Sequence, residues 1–99
     1  MEEHAVVLDV SRYQPAPGKR DELLAQMKKI AERASKAEGC FGAQVCISNG
    51  DSGVLVAVSR WKSAQALDSF ARDVATAAAR DKLTDLLGGR AQHEHLTPL

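Results

Sequence analysis

The sequence predicts a single α+β domain, residues 1–99, in the element order β-α-β-β-α-β. Three observations carry this. Four short runs are β-branched or alternate apolar with polar residues, two longer stretches repeat apolar residues at helical spacing, and Gly, Pro and Asn stand at the borders between them.

The first run, AVVLDVSRYQ after His4, reads as a strand that stops at Pro15, Pro17 and Gly18. From Lys19 to Lys36, Leu23, Leu24, Met27, Ile30, Ala31 and Ala34 stack on one helical face, and Lys28, Lys29, Glu32, Arg33 and Lys36 charge the other. Gly39 closes this helix. Cys40 to Ser48 alternates, with Phe41, Ala43, Val45 and Ile47 on one side and Cys40, Gly42, Gln44 and Cys46 on the other. The cluster Ser48-Asn49-Gly50-Asp51-Ser52-Gly53 is a turn into the run Val54 to Trp61, so the second and third strands form an antiparallel hairpin.

Ser63 is the N-cap of a helical stretch with Ala66, Leu67, Phe70, Val74, Leu83, Leu86 and Leu87, ended by Gly88 and Gly89, and Asp73 can cap a second helix after a break. The last strand, Arg90 to Leu96, places Ala91, His93 and His95 on one face. This order is the split βαβ, or ferredoxin-like, arrangement: a four-stranded antiparallel sheet with both helical stretches on one face.

Composition narrows the function classes. Thirteen basic and thirteen acidic residues cancel, and no Lys/Arg run exceeds two, so the chain lacks the field that draws proteins to nucleic acid or anionic membranes. No apolar stretch approaches the ~20 residues of a membrane span, and Glu2, Glu3 and His4 lack the basic start of a signal peptide, which predicts a cytoplasmic protein. Cys40 and Cys46 lie roughly 20 Å apart along one strand, too far for a disulfide, and both are expected to be free thiols.

The apolar run Val54 to Val58, like Ala5 to Leu8, does not alternate, which indicates strands covered on both sides. Two helical stretches cover one face only. The same face of a second copy is the least costly cover for the other, so a homodimer is expected.

With the elements placed, four features resemble the antibiotic biosynthesis monooxygenase family: Pro17-Gly18-Lys19 between first strand and helix, Glu38-Gly39-Cys40-Phe41-Gly42 opening the second strand, Trp61-Lys62-Ser63 ending the third, and Ala66-Leu67-Asp68 in the following helix. The order and spacing of these features carry the resemblance, from about Val7 to Leu96. It implies a dimeric α/β barrel and a pocket between sheet and helices or near the interface. Its members include oxygenases that act on phenols and quinols with no cofactor, neither metal nor flavin. Others bind and degrade haem, resemble isomerases of small metabolites, or have no assigned activity. The haem branch uses an Asn, a Trp and an iron-ligating His where this sequence has Ser11, Phe70 and Arg80. Arginine has no free lone pair for iron, so the chain does not fit that branch.

Cofactor-free oxygenation needs a base, a dry pocket and hydrogen bonds that hold a phenolate. Candidates are polar residues on otherwise apolar strands. Asp9, Ser11 and Tyr13 share a face with Val7, and Asp9 is either a structural partner in an ion pair or a base with a raised pKa. His93 and His95 point the same way on a strand expected beside the first, as acid or base, as a substrate clamp, or as partly exposed histidines near a terminus. Two histidines do not complete a metal site, and none is predicted. Trp61 and Phe70 can stack a planar ligand or fill the core. Gln44 lies on a face that can meet the pocket, and Arg80 either binds an anionic substrate group or is an exposed helix arginine.

The resulting expectation is a homodimeric, cofactor-independent monooxygenase of a small aromatic or quinol-like molecule, with Asp9, His93 and His95 catalytic and Ser11, Tyr13, Gln44, Trp61, Phe70 and Arg80 binding substrate. Two rivals remain: a ligand-binding barrel without catalysis, and a small-metabolite isomerase using the same groups for proton transfer.

Overall fold

The computed structural model describes residues 6–99, and the expected start of the first strand at His4 and Ala5 lies outside them. Seven elements follow in order: β1 (Val7–Tyr13), α1 (Arg20–Ser35), β2 (Cys40–Ile47), β3 (Leu55–Trp61), α2 (Ala64–Arg72), α3 (Val74–Thr84) and β4 (Gln92–Leu96). The sheet order is β2-β3-β1-β4 with every neighbouring pair antiparallel. This is the ferredoxin-like α+β fold, with α2 and α3 together in the place of the second helix.

Register sorts the strand residues into two faces, because side chains directly opposite one another share a face. The pairs Val7–Trp61, Asp9–Ser59, Ser11–Ala57 and Tyr13–Leu55 define the face under the helices. Leu8, Val10, Arg12, Val56, Val58 and Arg60 lie on the other. Apolar residues anchor the two ends of the inner face. At one end Tyr13 and Leu55 pack with Leu23 and Met27 of α1 and Leu83 of α3, and at the other Val7 and Trp61 pack with Ala34 of α1 and Leu67 of α2. Leu23 and Trp61 are fully buried. All three helices therefore lie on this face.

The break between α2 and α3 falls at Asp73, as its capping chemistry predicts. Its carboxylate accepts from the Thr76 amide at 3.3 Å and meets the Arg33 guanidinium of α1 at 2.7 Å. One side chain thus caps α3 and ties it to α1. Ser63 caps α2 in the same manner, accepting from Ala66 N at 3.1 Å. In the hairpin turn the Asp51 side chain accepts from Gly53 N at 3.0 Å, and Ser48 N donates to the Val54 carbonyl.

Two expectations are corrected. The second helical stretch was expected to run to Gly88, yet α3 ends at Thr84. Leu87 instead forms a bridge with Pro15, and Gly88 N donates to the Gln14 carbonyl at 2.6 Å. A Cβ on Gly88 would sit 2.7 Å from the Pro15 carbonyl oxygen, so this long-range contact, and no helix-stop signal, is what the glycine serves. A bulge between Cys40 and Gly42 also breaks the alternation of β2. It turns Cys40 toward Trp61 and the inner cluster, while Cys46 pairs with Val56 on the outer face. The two free thiols consequently do not share a face.

Candidate functional site

Between its two apolar ends the inner face is polar or small. In β1 the middle positions are Asp9 and Ser11, and in β3 they are Ala57 and Ser59. A cavity of about 60 Å3 opens there, bounded by α1 through Ile30 and Ala31 and by Leu67, Phe70 and Ala71 of α2. Beside it a cleft of about 600 Å3 runs between α2 and β4, and the two spaces share Asp9, Leu67, Ala71 and Arg80 as walls.

The register of β4 on β1 builds the polar centre. Asp9 stands opposite His95 and Ser11 opposite His93, so each histidine faces an oxygen-bearing side chain across one strand spacing. His95 Nε2 lies 3.2 Å from Asp9 Oδ1, and His93 Nδ1 lies 2.9 Å from Ser11 Oγ. Both histidines line the cleft. The tautomer of His93 sets the direction of its bond: with the proton on Nε2 the serine hydroxyl donates, and with the proton on Nδ1 the ring does.

Tyr13 completes this row, its ring edge-on to His93 with centroids 5.9 Å apart. Burial pushes the Tyr13 phenol above its ordinary pKa, and the Ser11 hydroxyl and the Arg80 guanidinium pull in the opposite direction, with Asp9 adding to the rise. Desolvation dominates because the phenolate loses its water shell and neither partner fully replaces it.

The expected site residues divide cleanly by this geometry. Asp9, Ser11, Tyr13, Phe70 and Arg80 all line the cavity, and His93 and His95 join Asp9 and Arg80 at the cleft. Ser11, Phe70 and Arg80, picked out by their alignment with the haem branch, do meet at one place. Trp61 does not reach it. Its side chain is fully buried, Nε1 donates to Ser59 Oγ at 2.8 Å, and it backs the cavity wall through Ser59 and through Phe70, whose ring centroid is 5.2 Å away. Gln44 pairs with Val58, which puts its exposed side chain on the outer face although the residue borders the cavity. Sequence reasoning missed Ser59, Leu67, Ala71 and the α2 residues Gln65 and Asp68 at the cleft. Ser59 was findable by the rule that found Asp9, a polar inward residue between apolar ones; the helix residues were not, because their packing angle is a tertiary property.

Among the described residues no group of three or more His, Cys, Asp and Glu side chains is arranged to hold a metal ion. None of the described helices is long and apolar enough to cross a membrane.

A ferredoxin-like domain with a polar row between sheet and helices, opening to a cleft, defines a class of small α+β proteins with a cavity between sheet and helices. Within that class the model of the antibiotic biosynthesis monooxygenase family matches residues 7–86, and the chain belongs to that family. No curated protein matches the chain. Among solved structures it is similar to Rv0793 from Mycobacterium tuberculosis, at 25% identity and a TM-score of 0.88 over 96% of each chain. A conserved protein from Methanosarcina mazei is 22% identical with a TM-score of 0.86, over 94% of this chain and 92% of that one. A conserved protein of unknown function from Bacteroides thetaiotaomicron, described as a possible oxidoreductase, is 15% identical with a TM-score of 0.86, over 96% of this chain and 99% of that one. The last two likenesses speak to fold.

Proposed function

We propose that this protein is a cofactor-independent monooxygenase of a small phenol or quinol, bound at the junction of the cavity and the cleft. The observation that carries the reading is the pair of cross-strand contacts, Asp9 with His95 and Ser11 with His93, on an inner face whose two ends are apolar. Size favours the cleft over the cavity as the place for a ring. A cavity of roughly 150 Å3 is what benzene fills, so the space of about 60 Å3 takes no whole ring, whereas the adjoining cleft of about 600 Å3 does.

The chemistry assigned to these groups is proton transfer. A ring hydroxyl in the cleft gives its proton to His95 or His93, and the Asp9 carboxylate stabilises the imidazolium that forms on His95. The phenolate then reduces dioxygen. One oxygen atom bonds to a ring carbon as its hydrogen leaves, the other departs as water, and the quinol becomes a hydroxyquinone, so substrate supplies all four electrons and no external reductant is needed. Leu67 and Ala71 give the cleft an apolar wall on its α2 side, against which the ring would lie.

A second copy of the chain completes the proposal. Leu8, Val10, Val56 and Val58 form a continuous apolar patch on the face without helices. Val10 and Val56 are already buried, so the surface a partner would cover comes mainly from half-buried Leu8 and Val58 and from exposed Leu96. The test of the activity is oxygen uptake by metal-stripped protein against a panel of phenols and hydroquinones, with autoxidation subtracted. Saturable uptake that falls at least tenfold in Asp9→Asn and His93→Ala is expected. Uptake unchanged in both variants defeats the assignment of these residues, and product formation that proceeds equally well without oxygen points to an isomerase.

A further inference from the structure

Arg80 is the one basic side chain that borders all three spaces around the polar row. It lines the cavity, the cleft, and a second cleft of about 350 Å3 bounded by Tyr13, Leu87 and His93. The carboxylates on these walls are Asp9, Asp68 and Asp81. Asp9 is engaged by His95 at 3.2 Å and Asp68 by Arg72 at 3.1 Å. Asp81 follows Arg80 in the chain, yet among the described residues Arg80 enters no ion pair. Arg80 is exposed and is the one α3 side chain on the cleft lined by Asp9, His93 and His95, whereas Asp81, Leu83 and Thr84 of the same helix border the second cleft with it.

A guanidinium stays charged at every working pH and offers a rigid fork of donors that matches a carboxylate in bidentate fashion. The base pairs occupy the β4 side of the cleft, and Arg80 lies on the helix side. A ligand spanning the cleft would therefore meet proton acceptors at one end and a cationic fork at the other. We infer that Arg80 selects a ring carrying a carboxylate, so that the substrate class is a hydroxylated benzoate or a fused-ring equivalent, with the acid on Arg80 and the ring hydroxyl toward His93 and His95. This rests on the proposed function and narrows its substrate.

The test separates the two. Binding of 2,5-dihydroxybenzoate and of 1,4-dihydroxybenzene is followed without oxygen by proton-nitrogen NMR, with the Arg80 Nε signal observed directly. The wild type is expected to bind the carboxylate at least tenfold more tightly, with the Arg80 signal shifting. Arg80→Gln should erase the preference and Arg80→Lys should retain part of it, since the charge survives and the fork does not. The same spectra report whether each variant is folded. Equal affinity for both compounds in the wild type, or a preference undiminished in folded Arg80→Gln, overturns the inference. Oxygen uptake measured in parallel keeps the readings apart: a carboxylate preference without uptake sustains the Arg80 site and removes the oxygenase, whereas uptake with equal affinities removes the Arg80 site alone.

Discussion

The two faces of the sheet are made from alternate residues of the same strands, and they obey different rules. On the outer face β1 and β3 contribute Leu8, Val10, Val56 and Val58 in an unbroken patch, with Arg12 and Glu94 meeting at 3.8 Å at its side. On the inner face the large apolar residues of these two strands are confined to the ends, and the middle is given to Asp9, Ser11, Ala57 and Ser59. A face that only has to be covered is uniform. On the proposed function the inner face has to hold substrate, which accounts for its being anchored at both ends and left small and polar between them, since filling the middle with leucine would add burial and remove the cavity.

Three changes would break or sharpen this contrast. The largest effect is expected from an anchor of the inner face. Leu55 is 2% exposed and packed among Tyr13, Leu23, Met27 and Leu83. Leu55→Ala should lower the unfolding free energy by about 2–5 kcal/mol, read as a drop in the urea midpoint. A loss below about 1 kcal/mol would mean that this anchor does not hold the helices to the sheet.

The outer face should answer differently. Val58 is half-buried there, and a lysine at this position can extend its charge to water from an uncovered sheet but not from a covered one. Val58→Lys is expected to cost an isolated protomer under about 1 kcal/mol while converting a dimer to a monomer in sedimentation velocity. A wild type that sediments as a monomer at every concentration would leave the outer patch without the partner proposed for it.

The smallest effect concerns the polar row itself. The Tyr13 phenol is raised above its ordinary value of 10.0, chiefly by burial, so the folded state holds this proton more tightly than the unfolded state. The stabilisation is complete below the unfolded value and is lost as pH rises from about 10 through the folded value. Urea unfolding at pH 9, 10 and 11 should show stability falling across this window, and Tyr13→Phe should flatten that part of the slope. An identical slope in the variant would show that Tyr13 does not carry it.

Much of this contrast was legible in the chain. Alternation placed Asp9, Ser11 and Tyr13 on the face of Val7, and His93 and His95 together, because side-chain direction in a strand has a period of two and needs no knowledge of the partner. The break at Asp73 was legible because a capping carboxylate acts on an amide three residues away. The reach of the sequence stops where a contact is long-range. Gly88 looked like a helix stop and is instead a close approach to Pro15. Cys40 looked as though it shared a face with Cys46, and a bulge turns it inward. Of the two roles open to Trp61, stacking a ligand or filling the core, the structure places it in the core, against Ser59 and Phe70.

Residue order alone determined which elements form, that the sheet is antiparallel with helices on one face, and which polar residues interrupt an apolar strand, since propensity, periodicity and capping act over a few residues. Only the tertiary structure decided that Asp9 meets His95 and Ser11 meets His93, 82 positions apart in the latter case, and that Arg80 comes to the same space from α3. Strand register and helix packing are settled by the sum of many distant contacts, and a shift of one residue in β4 would have turned both histidines to the other face.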